Sequence, residues 1–203
     1  MLYLATLAPS TLGLLRRIQS QDAFADTRLV GGAALALHFG HRTSLDLDLF
    51  GEWKPQPPLE LALSNCAARV VKTGGQETLQ FFTVDDVKID CVAYPYKWLR
   101  PAVVSDGIRL ADIPDIAAMK LAAATNRGTR KDFIDIYFLL QKHSLRQMLD
   151  WYLEKYPEGN DYLVLRSLAY FDDAETEPMP NMLSPVDWSA VTGAVESAVR
   201  ELG

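Results

Sequence analysis

Hydrophobic and polar positions follow two different rhythms along this chain, and the change comes close to residue 111. In the first stretch, Leu12, Leu15 and Ile18 recur at helical spacing behind the start signals Pro9-Ser10-Thr11, which predicts a helix over 9–20. A short strand over 28–30 is broken by Gly31-Gly32, and the almost wholly apolar run 33–39 predicts a buried helix. After Gly40, the segment Leu45-Asp46-Leu47-Asp48-Leu49-Phe50 alternates strictly, so it reads as a strand with both carboxylates on one face and leucines on the other. Residues 53–58 read as a proline-rich loop and 59–69 as a helix. Strands over 78–84 and 87–93 flank Asp85-Asp86, a hairpin turn that lacks the usual glycine. Pro95 and Pro101 are expected to end the sheet. From Ile113 the period turns helical and stays so, with helices over 113–126, 130–142, 144–155 and 160–170, a solvated acidic loop over 172–180, and a last helix over 187–202. The pattern predicts an α+β fold: a small mixed sheet with flanking helices over 1–110, then a helical lobe over 111–203.

Composition narrows the class. A chain of 203 residues with 49% hydrophobic and 23% charged positions can bury a core without staples. Cys66 and Cys91 are the only cysteines, far apart in sequence, so a disulfide scaffold is not expected and a reducing cytoplasm is. No window has the ~18 apolar residues of a membrane span, and the first fifteen residues show no export signal, so a soluble protein without a membrane partner is expected. The net charge of -6 argues against a large non-specific phosphate-binding surface. A local basic patch is still allowed, and Lys120, Arg127, Arg130, Lys131 and Lys142 make 120–142 the most basic stretch.

Candidate chemistry starts at the glycine pair. Between a strand and a helix, Gly31-Gly32 lets a ligand approach the backbone and leaves N–H groups at the positive end of the helix, where a phosphate sits well; a plain tight turn would look the same. Asp46 and Asp48 follow shortly. Two like charges at i and i+2 on one strand face stay ionised in a closed site only with a cation between them, and magnesium suits few carboxylates plus substrate phosphates. Two solvated aspartates on a wet face are the alternative. Asp90, in the alternating run Val87-Lys88-Ile89-Asp90-Cys91-Val92, would complete a trio if its strand neighbours that of Asp46, able to hold two metal ions with Asp90 as proton acceptor; a charged edge strand is the rival. Lys120 and Asp135 lie in mainly apolar helices and need partners. They could pair as a structural salt bridge, or Lys120 could point to the phosphates across the lobe interface, positioned by Asp135 and Asp132. His41 and Arg42 could contact phosphate or acceptor, or fix their loop.

The run Gly31-Gly32-Ala33-Ala34-Leu35-Ala36-Leu37, followed by His41-Arg42-Thr43-Ser44-Leu45-Asp46-Leu47-Asp48-Leu49-Phe50, resembles the first motif of the AbiEii toxin family of nucleotidyltransferases, within the DNA polymerase beta-like superfamily. Met119-Lys120-Leu121 and the run from Arg127 to Ile136 are similar to its later lysine and aspartate motifs. The resemblance covers residues 28–142. It implies triphosphate binding at Gly31 and Gly32, metal binding at Asp46 and Asp48 with Asp90 as third acid, and parts for Ser44, Lys120 and Asp135 in nucleotide handling. Gly32 departs from the serine that many superfamily members carry there. It also implies a bacterial toxin with a cognate antitoxin, and transfer RNA or other RNA as acceptor, although the acidic net charge fits that acceptor poorly.

The expected activity is therefore magnesium-dependent (Mg2+) transfer of a nucleotide from a nucleoside triphosphate to an acceptor hydroxyl, with pyrophosphate leaving. A nucleotide-sensing or partner-binding module of the same fold is the alternative. A glycosyltransferase, which also uses Asp-x-Asp, lacks support from the Gly-Gly turn.

Overall fold

A computed structural model describes residues 1–52 and 58–202. All of the expected proline-rich loop except Pro58 lies outside the described residues. The chain divides into two compact units, Met1–Pro95 with Ala102–Ala111, and Tyr96–Pro101 with Asp112–Gly203.

The first unit is built on a seven-stranded mixed sheet. Its elements are α1 (Pro9–Gln19), β1 (Thr27–Val30), α2 (Gly31–Phe39), β2 (Leu47–Gly51), α3 (Leu59–Ser64), β3 (Val70–Gln76), β4 (Leu79–Val84), β5 (Val87–Ala93), β6 (Val103–Ser105) and β7 (Ile108–Leu110). The strand order is β3-β4-β5-β2-β1-β7-β6. The β2–β5 and β1–β7 pairs are parallel, the others antiparallel. Leu47, Leu49, Ile89 and Cys91 are fully buried on the two central strands, while the alternate positions Asp48 and Asp90 are half-buried. That alternation leaves one face of the central strands for chemistry and commits the other to the core.

The structure departs from several local expectations. The strand carrying the aspartate pair begins at Leu47, not Leu45; Leu45 is 76% exposed, so the alternation overstated the strand by two residues. The glycine pair is the first turn of α2, not a break before it. Helix α3 stops at Ser64, and just beyond it the Cys66 carbonyl accepts from Arg17 Nε at 2.8 Å. Strand β3 was not anticipated, because Lys72, Thr73, Gly74, Gly75 and Gln76 carry no apolar rhythm; as an edge strand it has little to bury. The sheet does not end at Pro95 and Pro101. The prolines bracket a six-residue excursion into the second unit, after which the chain returns as β6 and β7. The Gln19 side chain, 2% exposed, completes the short β7 ladder: its Nε2 donates to Arg109 O and its Oε1 accepts from Arg109 N, both at 2.8 Å.

The second unit is helical: α4 (Ile113–Asn126), α5 (Arg130–Leu140), α6 (Leu145–Lys155), α7 (Asp161–Leu168), α8 (Asp172–Glu175) and α9 (Trp188–Arg200). Asp112, Ser144 and Asn160 cap α4, α6 and α7 with side-chain oxygens, as N-cap residues do. Its core includes Ile116, Leu121, Phe133, Ile136, Leu139, Met148, Val164, Leu168, Val191 and Val195, none of them exposed. Lys155 and Asp115 form a fully buried ion pair at 2.6 Å, and Asp115 also accepts from the backbone N–H groups of Leu99 and Arg100. That cluster ties Tyr96–Pro101 into this unit. The acidic segment exposes Asp172, Asp173 and Glu175 as expected, but it is not simply a loop. It contains the α8 turn with Ala174 buried, and Arg130 donates to Ala174 O and Glu175 O while its guanidinium stacks 4.6 Å from the Trp188 ring. Among the described residues no helix is long and apolar enough to cross a membrane. Both cysteines are buried and free.

Candidate active site

Strand β1 delivers the chain to the site. Val30 is its last residue and pairs with Asp48 of β2, and α2 begins at the next position with no side-chain cap. Uncapped first-turn N–H groups at the positive end of a helix are a ready anion cradle. Gly31 has φ +67, a conformation that strains any other residue, and a Cβ there would force the Asp48 carboxylate to move. Gly32 has ordinary φ, but its Cβ would run into Arg42 Nη2. The Arg42 guanidinium thus occupies the space into which any side chain at position 32 would project. Arg42 is 4% exposed and its Nη1 donates to Thr43 O at 3.1 Å; His41 beside it is fully buried.

Parallel pairing of β2 with β5 sets Asp48 directly beside Asp90. Register partners on adjacent strands leave the same face of the sheet, so these carboxylates are neighbours. Lys88, two residues before Asp90, donates to Asp90 Oδ2 at 3.1 Å, whereas Asp90 Oδ1 is buried and accepts no hydrogen bond. Asp46 is exposed on the lead-in to β2, and Ser44 is half-buried there, its N–H donating to Thr6 O at 3.0 Å. Lys88 is held above its ordinary pKa by its hydrogen bond to Asp90, against burial, and then by the charges of Asp90, Asp46 and Asp48. Burial, then Asp90 and Asp48, push the Cys91 thiol up to about 12. Among the described residues, no three His, Cys, Asp or Glu side chains are clustered as a ready metal cage. A pair fits magnesium all the same, because that ion takes one or two carboxylates and completes its shell with water and phosphate oxygens. The unaccepted Asp90 oxygen is the kind of atom such an ion satisfies.

The remaining expected site residues lie in the second unit. Lys120 Nζ bonds Asp135 Oδ2 at 2.6 Å and Asp132 Oδ1 at 3.0 Å, all three side chains at most 5% exposed. Asp132 further accepts from Arg127 Nε at 2.9 Å and Thr129 Oγ1 at 2.7 Å. Burial would raise the Asp132 carboxyl, but Lys120, Arg127 and Thr129 outweigh it and bring it to about 2. One participant in the first unit escaped the sequence reading: Lys88. The signal was present, since i and i+2 on a strand share a face.

The AbiEii model, described as nucleotidyl transferase AbiEii toxin of a type IV toxin–antitoxin system, matches residues 13–201. An uncharacterized Aquifex aeolicus (strain VF5) protein, aq_aa25, is 33% identical over 172 residues, 80% of this chain and 82% of that protein. In structure the chain is similar to JHP933 from Helicobacter pylori, with TM-score 0.59 at 16% identity over 97% of this chain and 93% of that one. It is also similar to MenT4, a nucleotidyltransferase toxin of Mycobacterium tuberculosis H37Rv, with TM-score 0.60 at 14% identity over 94% and 80%. At such identities the structural likeness speaks for the fold, and the match along nearly the whole sequence speaks for kinship. This chain belongs to the AbiEii toxin family of nucleotidyltransferases.

Proposed function

We propose that this protein transfers a nucleotide from a magnesium-bound nucleoside triphosphate to the hydroxyl of an RNA acceptor, transfer RNA being the first to test. The observation that carries the reading is the pairing of Asp48 with Asp90 beside the uncapped start of α2, with one Asp90 oxygen accepting no hydrogen bond. Asp48 and Asp90, with Asp46 as third carboxylate, would hold divalent metal. Bound there, the ion supplies charge neutralisation of the phosphates and acidification of the attacking hydroxyl. The first-turn N–H groups at Gly31 and Gly32 receive the phosphates. Arg42, in the space a serine would fill, supplies in positive charge what the missing hydroxyl would give in hydrogen bonding, and Ser44 adds a hydroxyl at the entry to β2.

In the transfer, the acceptor oxygen bonds to the alpha-phosphorus, the bond to the bridging oxygen breaks, and pyrophosphate leaves with the electron pair. The hydroxyl proton passes to Asp90. Lys120 and Asp135 take part in nucleotide handling as the family pattern implies, and Asp132 holds the lysine in place. The activity suits a toxin restrained by a cognate antitoxin protein in the bacterial cytoplasm.

The test incubates the protein with magnesium, each labelled nucleoside triphosphate and total cellular RNA, beside Asp46→Ala and Asp48→Ala controls. Label on RNA that both substitutions abolish is the expected result. Nucleotide binding with no pyrophosphate release on any acceptor would favour a sensing module instead. Label on protein or a small molecule would replace RNA as acceptor while keeping the chemistry.

A further inference from the structure

The proposed reaction leaves one charged side chain of the carboxylate site without a part. Lys88 precedes Asp90 by two positions on β5, so both side chains leave one face. Its ammonium lies 3.1 Å from Asp90 Oδ2, and the charges of Asp90, Asp46 and Asp48 all act on it. The Lys88 side chain is 57% exposed and that of Asp90 18%, so the lysine can swing into solvent without opening the core. An ion pair with one solvated partner is weak. A divalent cation arriving at Asp90 meets that ammonium twice, as a rival for carboxylate oxygen and as a like charge a few ångströms away.

We propose that Lys88 is a built-in competitor for the divalent cation: its ammonium holds Asp90 when no ion is bound, has to release it when one binds, and thereby sets how tightly the site takes the ion. This rests on the metal-binding reading of Asp48 and Asp90 given above. Without the ammonium, the same carboxylates attract cations more strongly. With a guanidinium in its place the competition persists, because the charge is kept.

Mn2+ is the probe, with the free ion counted by electron paramagnetic resonance against the full-length protein and no nucleotide present. Lys88→Met is expected to tighten binding roughly three- to tenfold at low salt, and the gain should shrink as ionic strength rises. Lys88→Arg should bind like wild type. In an Asp90→Asn background, Lys88→Met should bring little or no gain. Circular dichroism of each variant reports its fold, and Lys88→Gln stands in should the methionine variant misfold. Equal or weaker binding by folded Lys88→Met overturns the proposal, as does a full gain that survives Asp90→Asn. Wild-type binding no stronger than that of Asp48→Ala would sink the metal reading itself, and the proposal with it.

Discussion

Asp132 in the helical unit and Asp90 in the sheet unit are the same side chain put to opposite uses. Asp132 is 1% exposed and accepts from Lys120, Arg127 and Thr129 with both oxygens in use. Asp90 has one oxygen on a half-exposed lysine and the other buried without a hydrogen bond. A buried carboxylate surrounded by donors is committed to holding the fold. One left short of donors is costly to the fold, and a bound cation would satisfy it. Asp115, saturated by Lys155 and two backbone N–H groups, stands with Asp132 in this contrast. Substitution of Asp115 should therefore tell mainly on stability and that of Asp48 mainly on activity.

The largest effect is expected from Asp115→Ala. It leaves the fully buried Lys155 without its counter-charge, with the Lys97 carbonyl still accepting from it, and frees the two backbone donors that tie Tyr96–Pro101 down. A loss of about 3–5 kcal/mol follows, read as a lower urea midpoint of the helical transition. An unchanged midpoint would remove the distinction between saturated and unsaturated acids.

Asp48→Ala is the converse. Nucleotide transfer should fall on the order of a hundredfold or more, while the urea midpoint moves less than for Asp115→Ala, because Asp48 is half-buried and Asp115 fully buried. A variant that unfolds early would show Asp48 to be structural after all.

Acid sharpens the comparison for Asp132. Its carboxyl lies at about 2 against an ordinary 3.8, so below 3.8 the unfolded chain takes up the proton first. The stabilisation is therefore complete above pH ~4 and disappears as pH falls through about 2, an amount of about 2 kcal/mol. Urea midpoints from pH 5 to pH 2 should drop more steeply for wild type than for Asp132→Asn. Parallel curves would contradict the shift.

How much of this was legible follows the range of the interactions. The Asp48 and Asp90 strands and every long helix announce themselves through local periodicity, which needs only neighbours in sequence. Strands β6 and β7 are three residues each and hide behind a proline, and β3 lacks an apolar rhythm, so only the partners across the sheet reveal them. Leu45 misled because alternation continues beyond the last residue that has a partner strand. The glycine pair was recognisable as a ligand approach. That Asp48 and Arg42 are the groups each glycine makes room for depends on contacts 10 to 17 residues away, which no local pattern encodes.

The smallest effect tests the hairpin that carries Asp90 to its place. Asp85 and Asp86 have φ of 46 and 65, both left-handed, the geometry of a tight hairpin turn in which Asp-Gly is favoured and Asp-Asp strained at the second position. Asp85 has a reason to stay, since its carboxylate accepts from Arg69 N at 2.9 Å and Ala68 N at 3.3 Å. Asp86→Gly relieves the left-handed strain but gives the unfolded chain more freedom, so the two effects partly cancel. A net gain of about 0.5 kcal/mol is expected, a rise in the urea midpoint of the sheet unit with transfer activity unchanged. A loss of activity would mean the turn does more than join β4 to β5, and would extend the functional character of the sheet unit beyond its central strands.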